Sequence, residues 1–258
     1  MTMIPLVLAL VSVTIAVIAL ALAPRLTDRR VVFGDAPDAP KPFGYRMSWF
    51  AVKSADTAAV MQAMGLAAAS DEAAVPANWN SGIGTIYDDG LSDSYVFVSP
   101  PVKGWTFVAG VPLPHPIGPA FSDKLTPLLL QLGQSFPDVQ YFASFPIIDL
   151  FGWARVHKGK LIRAFVIGED GVILDRGRLT PEEKALGLKL FDLRGIKGRK
   201  GDAGGAIVLY PTEEQVLRLA RVWSCSPLLL DKMKMDDSTG FIARVPASWR
   251  AERIRRAA

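Results

Sequence analysis

The sequence predicts an α+β protein in which a single N-terminal transmembrane helix precedes a mostly antiparallel sheet domain with packed helices. Three observations carry that expectation. The first is an uncharged apolar run from Ile4 to Ala23. The second is a series of β-rich segments between Asp138 and Gly177, joined by short Gly-containing turns. The third is a set of apolar stripes at helical spacing, clearest at Leu125, Leu128, Leu129 and Leu132, which follow the i, i+3, i+4, i+7 pattern of a helix burying one face.

In residues 1–30 the apolar run extends for roughly 30 Å as a helix, the thickness of a bilayer's hydrocarbon core. A cleaved export signal usually has a shorter apolar core behind a basic start, whereas only Met1, Thr2 and Met3 precede this one. Ala19-Leu20-Ala21 and Ala21-Leu22-Ala23 offer small-residue cleavage sites, but Pro24 follows the second and fits an extended protease substrate poorly. The cations lie behind the run, at Arg25, Arg29 and Arg30. Because cytoplasmic flanks collect Lys and Arg, the expected placement is the inner (cytoplasmic) membrane, single-pass, with the globular domain facing the cytoplasm. A cleaved signal and a periplasmic body form the alternative. Residues 249–258 make a second basic segment, with Trp249, Arg250, Arg253, Arg255 and Arg256 suited to an anionic lipid surface.

Residues 31–45 hold three prolines and two glycines, the composition of a semi-stiff linker. The globular domain spans 46–248. It opens with a strand over Arg46–Ser54 and a helix carrying Val60, Met61 and Met64 on one face. Ser81–Tyr87, Ser94–Ser99 and Gly104–Gly110 read as three short strands separated by turn residues. The Leu125–Leu132 helix follows a proline-rich connection. Four strands then run as a meander, with Lys158-Gly159 and Glu169-Asp170-Gly171 supplying the positive φ that tight hairpins need. Thr180-Pro181-Glu182-Glu183 has the pattern of a capping box with proline at the first helical position. Arg194–Ala206 reads as a basic Gly-rich loop, and a further helix from Thr212 to Trp223 turns Val216, Leu219, Ala220 and Trp223 inward. A late strand covers Gly240–Val245. The order helix, strands, helix, strands suggests two similar α+β halves, 46–120 and 121–248, which a duplication would explain as well as chance.

The formal net charge is +4 and the pI about 9.2, with much of the excess at the two ends. A near-neutral body lacks the basic stripe of a nucleic-acid binder. One cysteine, Cys225, excludes an internal disulfide and a Cys-based zinc site, and it reads as a small buried hydrophobe. The two histidines, His115 and His157, have no metal-ligand spacing and read as locally hydrogen-bonded or solvated. Gly82-x-Gly84 lacks the third glycine and the helix of a dinucleotide fingerprint. Residues 195–205 lack the Ser or Thr of a phosphate loop. Asp88, Asp89 and Asp93 do not have calcium-loop spacing. No serine-hydrolase elbow is present. The expectation is therefore no catalytic, cofactor or metal residues.

The stretch from Asp138 to Asp231 contains "GWARVHKGKLIRAF", "TPEEKALG" and "VLRLARVWSCSP". It resembles a poorly characterised group of bacterial proteins with similar motifs, among them members of immunity or accessory type that work by binding a partner. The resemblance implies no catalytic residue. It implies a non-catalytic, membrane-anchored protein-binding protein, either an immunity-type toxin neutraliser or an accessory subunit of a membrane complex. The alternative is an exported periplasmic protein or an enzyme with an unrecognised site. Trp and Arg dominate interface hot spots, which selects Trp79, Trp153, Arg155, His157 and Arg163 as candidate partner contacts; an equally good reading puts Trp153 in the core and only the charged residues outside.

Overall fold

The computed structural model describes residues 12–14, 32–66, 74–116, 123–169, 171–188 and 210–249. The chain divides into two compact units, Met1–Val32 and Phe33–Ala258. In the first, residues 12–14 are helical, and the remainder of the apolar run lies outside the described residues together with Arg25, Arg29 and Arg30. Among the described residues no helix is long and apolar enough to cross a membrane. This corrects the expectation of a single-pass transmembrane helix. The longest described helices, Leu125–Ser135 and Glu213–Trp223, have 11 residues each, or about 16 Å, half of what a bilayer requires.

The second unit is built on one nine-stranded sheet. Its strands are β1 (Met47–Val52), β2 (Ala74–Asn78), β3 (Tyr95–Val98), β4 (Thr106–Ala109), β5 (Asp138–Phe145), β6 (Leu150–His157), β7 (Lys160–Gly168), β8 (Gly171–Gly177) and β9 (Thr239–Arg244). They lie in the order β2-β9-β3-β4-β1-β5-β6-β7-β8, and every neighbouring pair is antiparallel. The helices are α1 (Thr57–Ala63), α2 (Trp79–Tyr87), α3 (Leu125–Ser135), α4 (Pro181–Ala185) and α5 (Glu213–Trp223).

Helices cover both faces of this sheet, so its central strands have no wet side. One core joins Trp49, Phe107, Phe142, Trp153 and Phe165 from the sheet to Ile86 of α2 and to Val216, Leu219 and Trp223 of α5. The other joins Phe50, Val98, Val108, Tyr141 and Val156 to Val60 and Met61 of α1 and to the leucines of α3. Adjacent residues such as Trp49 and Phe50 thus enter opposite cores, as the two-residue side-chain period requires. Every residue of β1 is buried for this reason. An aromatic row, Trp49, Phe142, Trp153 and Phe165, crosses four neighbouring strands in register. Its outer pairs have ring centroids 5.2 and 4.8 Å apart, contacts that add about 0.5–1.5 kcal/mol each beyond burial.

The four-strand meander β5–β8 turns at Lys158 and Gly159, φ 49 and 73, and at Gly171, φ 103. The expected capping box of Thr180 with Glu183 opens α4, and a second one, Thr212 with Gln215, opens α5. Two expectations need correction. Ser81–Tyr87 is not a strand but most of α2, capped locally by Asn78, whose Oδ1 accepts from the Ser81 N–H at 2.9 Å, and from a distance by Asp38. The Asp38 carboxylate accepts the backbone N–H groups of Trp79 at 2.6 Å and Asn80 at 3.0 Å, placing an anion on the helix N-terminus. The stretch read as a linker is likewise part of the body from Phe33 onward. Phe33 meets Tyr95 edge-on, Asp38 bridges to Ser238, and Phe43 is buried against Trp49 and Phe107. With that strand lost, the repeated layout that suggested two halves loses one of its matching elements, and both halves share a single sheet.

Candidate functional site

Of the five residues selected from sequence as partner contacts, three have no exposed surface. Trp79, Trp153 and Arg163 are each 0% exposed. Trp79 is sealed beneath the start of α2, 5.3 Å from Phe97, and its indole N–H donates to Ser238 Oγ at 3.3 Å. Trp153 and Arg163 meet at Glu183: the indole N–H donates to Oε1 at 2.7 Å and Arg163 Nε donates to the same oxygen at 2.8 Å. Arg163 Nη1 pairs with Asp175 and donates to the Arg176 carbonyl at 3.1 Å. Glu183 Oε2 closes the capping box on the Thr180 N–H at 2.8 Å. These side chains tie α4 to the sheet; a buried charge is tolerated only when paired and hydrogen-bonded in this manner.

Arg155 and His157 come together around Asp138. Arg155 grips the carboxylate with two nitrogens, Nη2 at 2.6 Å and Nε at 3.1 Å, and His157 Nδ1 lies 3.2 Å from it. The Arg155 guanidinium also covers the Trp223 ring at 5.7 Å. The pair is semi-exposed, its cationic partner matched by an internal anion. Among the lipid-surface residues, Arg250, Arg253, Arg255 and Arg256 lie outside the described residues, while Trp249 is half-buried against the α3-side core.

His115 is braced from both ring nitrogens, with Nδ1 2.6 Å from Tyr141 Oη and Nε2 3.2 Å from the Val111 carbonyl. A carbonyl only accepts, so Nε2 carries the proton and Nδ1 accepts from the tyrosine. Burial pushes the imidazole pKa down to about 4, while the Val111 bond pulls weakly upward. The neutral ring is thus a local structural tie. Cys225 is buried, and burial raises its thiol to about 11 despite the influence of Lys103 and Lys53. Among the described residues no group of three His, Cys, Asp or Glu side chains is placed to hold a metal ion.

A surface site with unmatched charge lies at the opposite end of the sheet from Asp138. A groove of about 780 Å³, in the size range of ligand pockets, is lined by Pro42, Phe43, Tyr45, Arg46, Tyr87, Leu228, Leu229 and Lys232. Its rim is preformed. Gly44 takes φ 119, and a Cβ there would come within 2.9 Å of Leu217 and 3.0 Å of Pro227. Its N–H donates to Tyr87 Oη at 3.2 Å, and the Tyr87 hydroxyl donates to the Tyr45 carbonyl at 2.9 Å. Arg46 is held at φ 48, an uncommon conformation for a residue with a side chain. Its N–H donates to Glu213 Oε1 at 2.8 Å, and Ser144 Oγ donates to the same oxygen at 2.9 Å. Burial and the Glu213 charge raise the Tyr87 pKa above its usual value, which keeps its hydroxyl a donor. The groove escaped sequence reasoning because it is assembled from 42–46, 87 and 228–232; Gly44 and Arg46 offer no motif, and only the bend between them marks the place.

No protein-family model, no curated protein and no solved structure matches this chain. The case for function therefore rests on the geometry.

Proposed function

We propose that the Phe33–Ala258 unit acts by binding a protein partner, in the manner of an immunity-type toxin neutraliser or an accessory subunit of a complex. The observation that supports this reading is the concentration of exposed apolar surface at one end of the sheet. Tyr45 and Tyr87, on the groove, are 52% and 44% exposed, and Ile147 and Ile148, in the turn between β5 and β6, are 81% and 56% exposed. The two sets lie at the same sheet end because Met47, which follows Arg46, pairs with Ser144. Isolated apolar residues on a surface are ordinary, whereas aromatic and aliphatic residues gathered beside a groove mark interaction sites. No nucleophile–base pair lines the groove, so nothing there calls for a chemical step.

A photo-crosslinking residue at Tyr45 or at Ile147, introduced in producing cells, tests this. The expected result is one discrete adduct shared by both positions and absent from Val222, which is 55% exposed on α5. The same partner should copurify in fixed stoichiometry with the unaltered chain and be lost with Tyr45→Ala. Adducts of equal yield at all three positions, or none, overturn the proposal.

A further inference from the structure

We infer that the groove receives an acidic segment of the partner that also presents an apolar side chain; this rests on the protein-binding reading and adds the chemistry of what is bound. Two features of the groove fix that chemistry. Its floor and walls are apolar and aromatic, made by Phe43, Leu228, Leu229, Tyr45 and Tyr87, while its only ionic lining residues are Arg46 and Lys232. Neither the Arg46 guanidinium nor the Lys232 ammonium makes a hydrogen bond or ion pair among the described residues.

Two other cations near aromatic rings are matched by carboxylates, whereas Lys53 over Trp105 and Arg244 over Tyr95 make no ion pair among the described residues. Of the matched two, Arg155 has Asp138, and Arg163 has Glu183 and Asp175. Beside the groove the Glu213 carboxylate accepts from the Arg46 backbone N–H and the Ser144 hydroxyl. Glu213 holds the main chain there and makes no ion pair with the Arg46 guanidinium, and its single negative charge is outnumbered by Arg46 and Lys232. A neutral apolar segment would fill the floor but leave both cations unpaired at the interface, and a basic segment would be repelled. A segment with carboxylates flanking a leucine or aromatic residue satisfies both parts at once. The complementary potential also speeds encounter and rejects wrongly charged competitors, and the preformed Gly44–Arg46 bend reduces the ordering that binding must impose.

Fluorescence anisotropy on the full chain tests the inference. The probe is a fluorescein-labelled peptide with a Leu-Phe pair flanked by glutamates, compared with the same peptide carrying glutamines or lysines. The acidic peptide should bind tightest and weaken as salt rises. Arg46→Glu with Lys232→Glu should lower its affinity by roughly tenfold or more, a change equivalent to about 1.4 kcal/mol. The same double variant should bind the lysine peptide better than the unaltered chain does. Lys234→Glu, exposed but not lining the groove, should leave affinity unchanged, and circular dichroism should be the same for all variants. Equal affinity for the three peptides, or no effect of the double reversal, overturns the inference. So does Arg46- and Lys232-dependent binding to vesicles containing phosphatidylglycerol without peptide discrimination, which assigns the cations to lipid. If crosslinking at Tyr45 succeeds while the peptides fail, the protein-binding reading stands and only the acidic occupant is lost.

Discussion

Arg155 on β6 and Arg163 on β7 stand directly opposite each other in the sheet register, yet each is bound to a different carboxylate. Arg155 leans toward β5 and Asp138, while Arg163 turns to Glu183 of α4 and Asp175 of β8. Two like charges side by side would repel; here each is neutralised on its own side. One arginine is 0% exposed and the other keeps 22% of its side chain in solvent, so their replacement has different consequences.

Arg163→Met should destabilise the fold by about 3–5 kcal/mol, since it leaves Glu183 without its cation in a closed interior. Arg155→Met, at a partly solvated pair, should cost much less. Denaturant unfolding monitored by tryptophan fluorescence checks both. Comparable losses would show that the two networks are equally shielded, contrary to their burial. Combining Arg163→Met with Glu183→Leu should recover part of the single-variant loss.

Gly82→Ala tests the fit of α2 on the sheet. A Cβ at this position would lie 2.1 Å from the Phe97 ring, which cannot move far between Trp79 and Gly240. Overpacking of this kind costs about 1–3 kcal/mol, against a small gain in helix propensity. Pairing the change with Phe97→Leu should restore some stability. A thermal midpoint unchanged by Gly82→Ala alone contradicts the close approach.

His115 predicts a particular pH response. The unfolded chain takes up a proton near pH 6.5 and the folded chain only near 4. Between those values the unfolded state binds more protons, so folding stability falls as pH drops, by at most about 1.4 kcal/mol per unit. Above pH 6.5 this contribution is flat. The stability difference between the unaltered chain and His115→Gln should therefore hold constant at neutral pH and shrink from 6.5 toward 4. Imidazole NMR signals that titrate near 6.5 in the folded protein would refute it.

Cys225 should resist thiol reagents at pH 8 in the folded state, because burial keeps the reactive thiolate scarce. Reaction with Ellman's reagent should proceed only at the rate of unfolding and become immediate in denaturant. Rapid stoichiometric labelling of native protein runs against this placement.

Much of the second half was legible because its signals are local. The Lys158-Gly159 and Gly171 turns have the positive φ their residues suggested, and Thr180 caps the helix it precedes. The first half depends on distant residues. α2 contains Gly82 and Gly84, which weaken any helical signal; Asn78 caps it locally through the Ser81 N–H, a signal the strand reading passed over, while Asp38 adds a carboxylate from far upstream and Phe97 requires the glycine. The partner-contact residues were misplaced for a related reason. Alternation along β6 suggested one wet face for Trp153, Arg155 and His157, but α4 and α5 cover that face and leave only the strand's end open. The groove itself has no contiguous sequence to read.

The position of β9 has a consequence for biosynthesis. Thr239–Arg244 lies between β2 and β3, pairing with both, so those early strands have no neighbour on that side until β9 leaves the ribosome. The meander β5–β8 closes through local hairpins and can form while translation continues; the β2–β9–β3 part must wait. Such long-range closure is slow and leaves strand edges open in the meantime. A chain truncated before Thr239 leaves β2 without a partner and one edge of β3 open, and would be expected to aggregate through them.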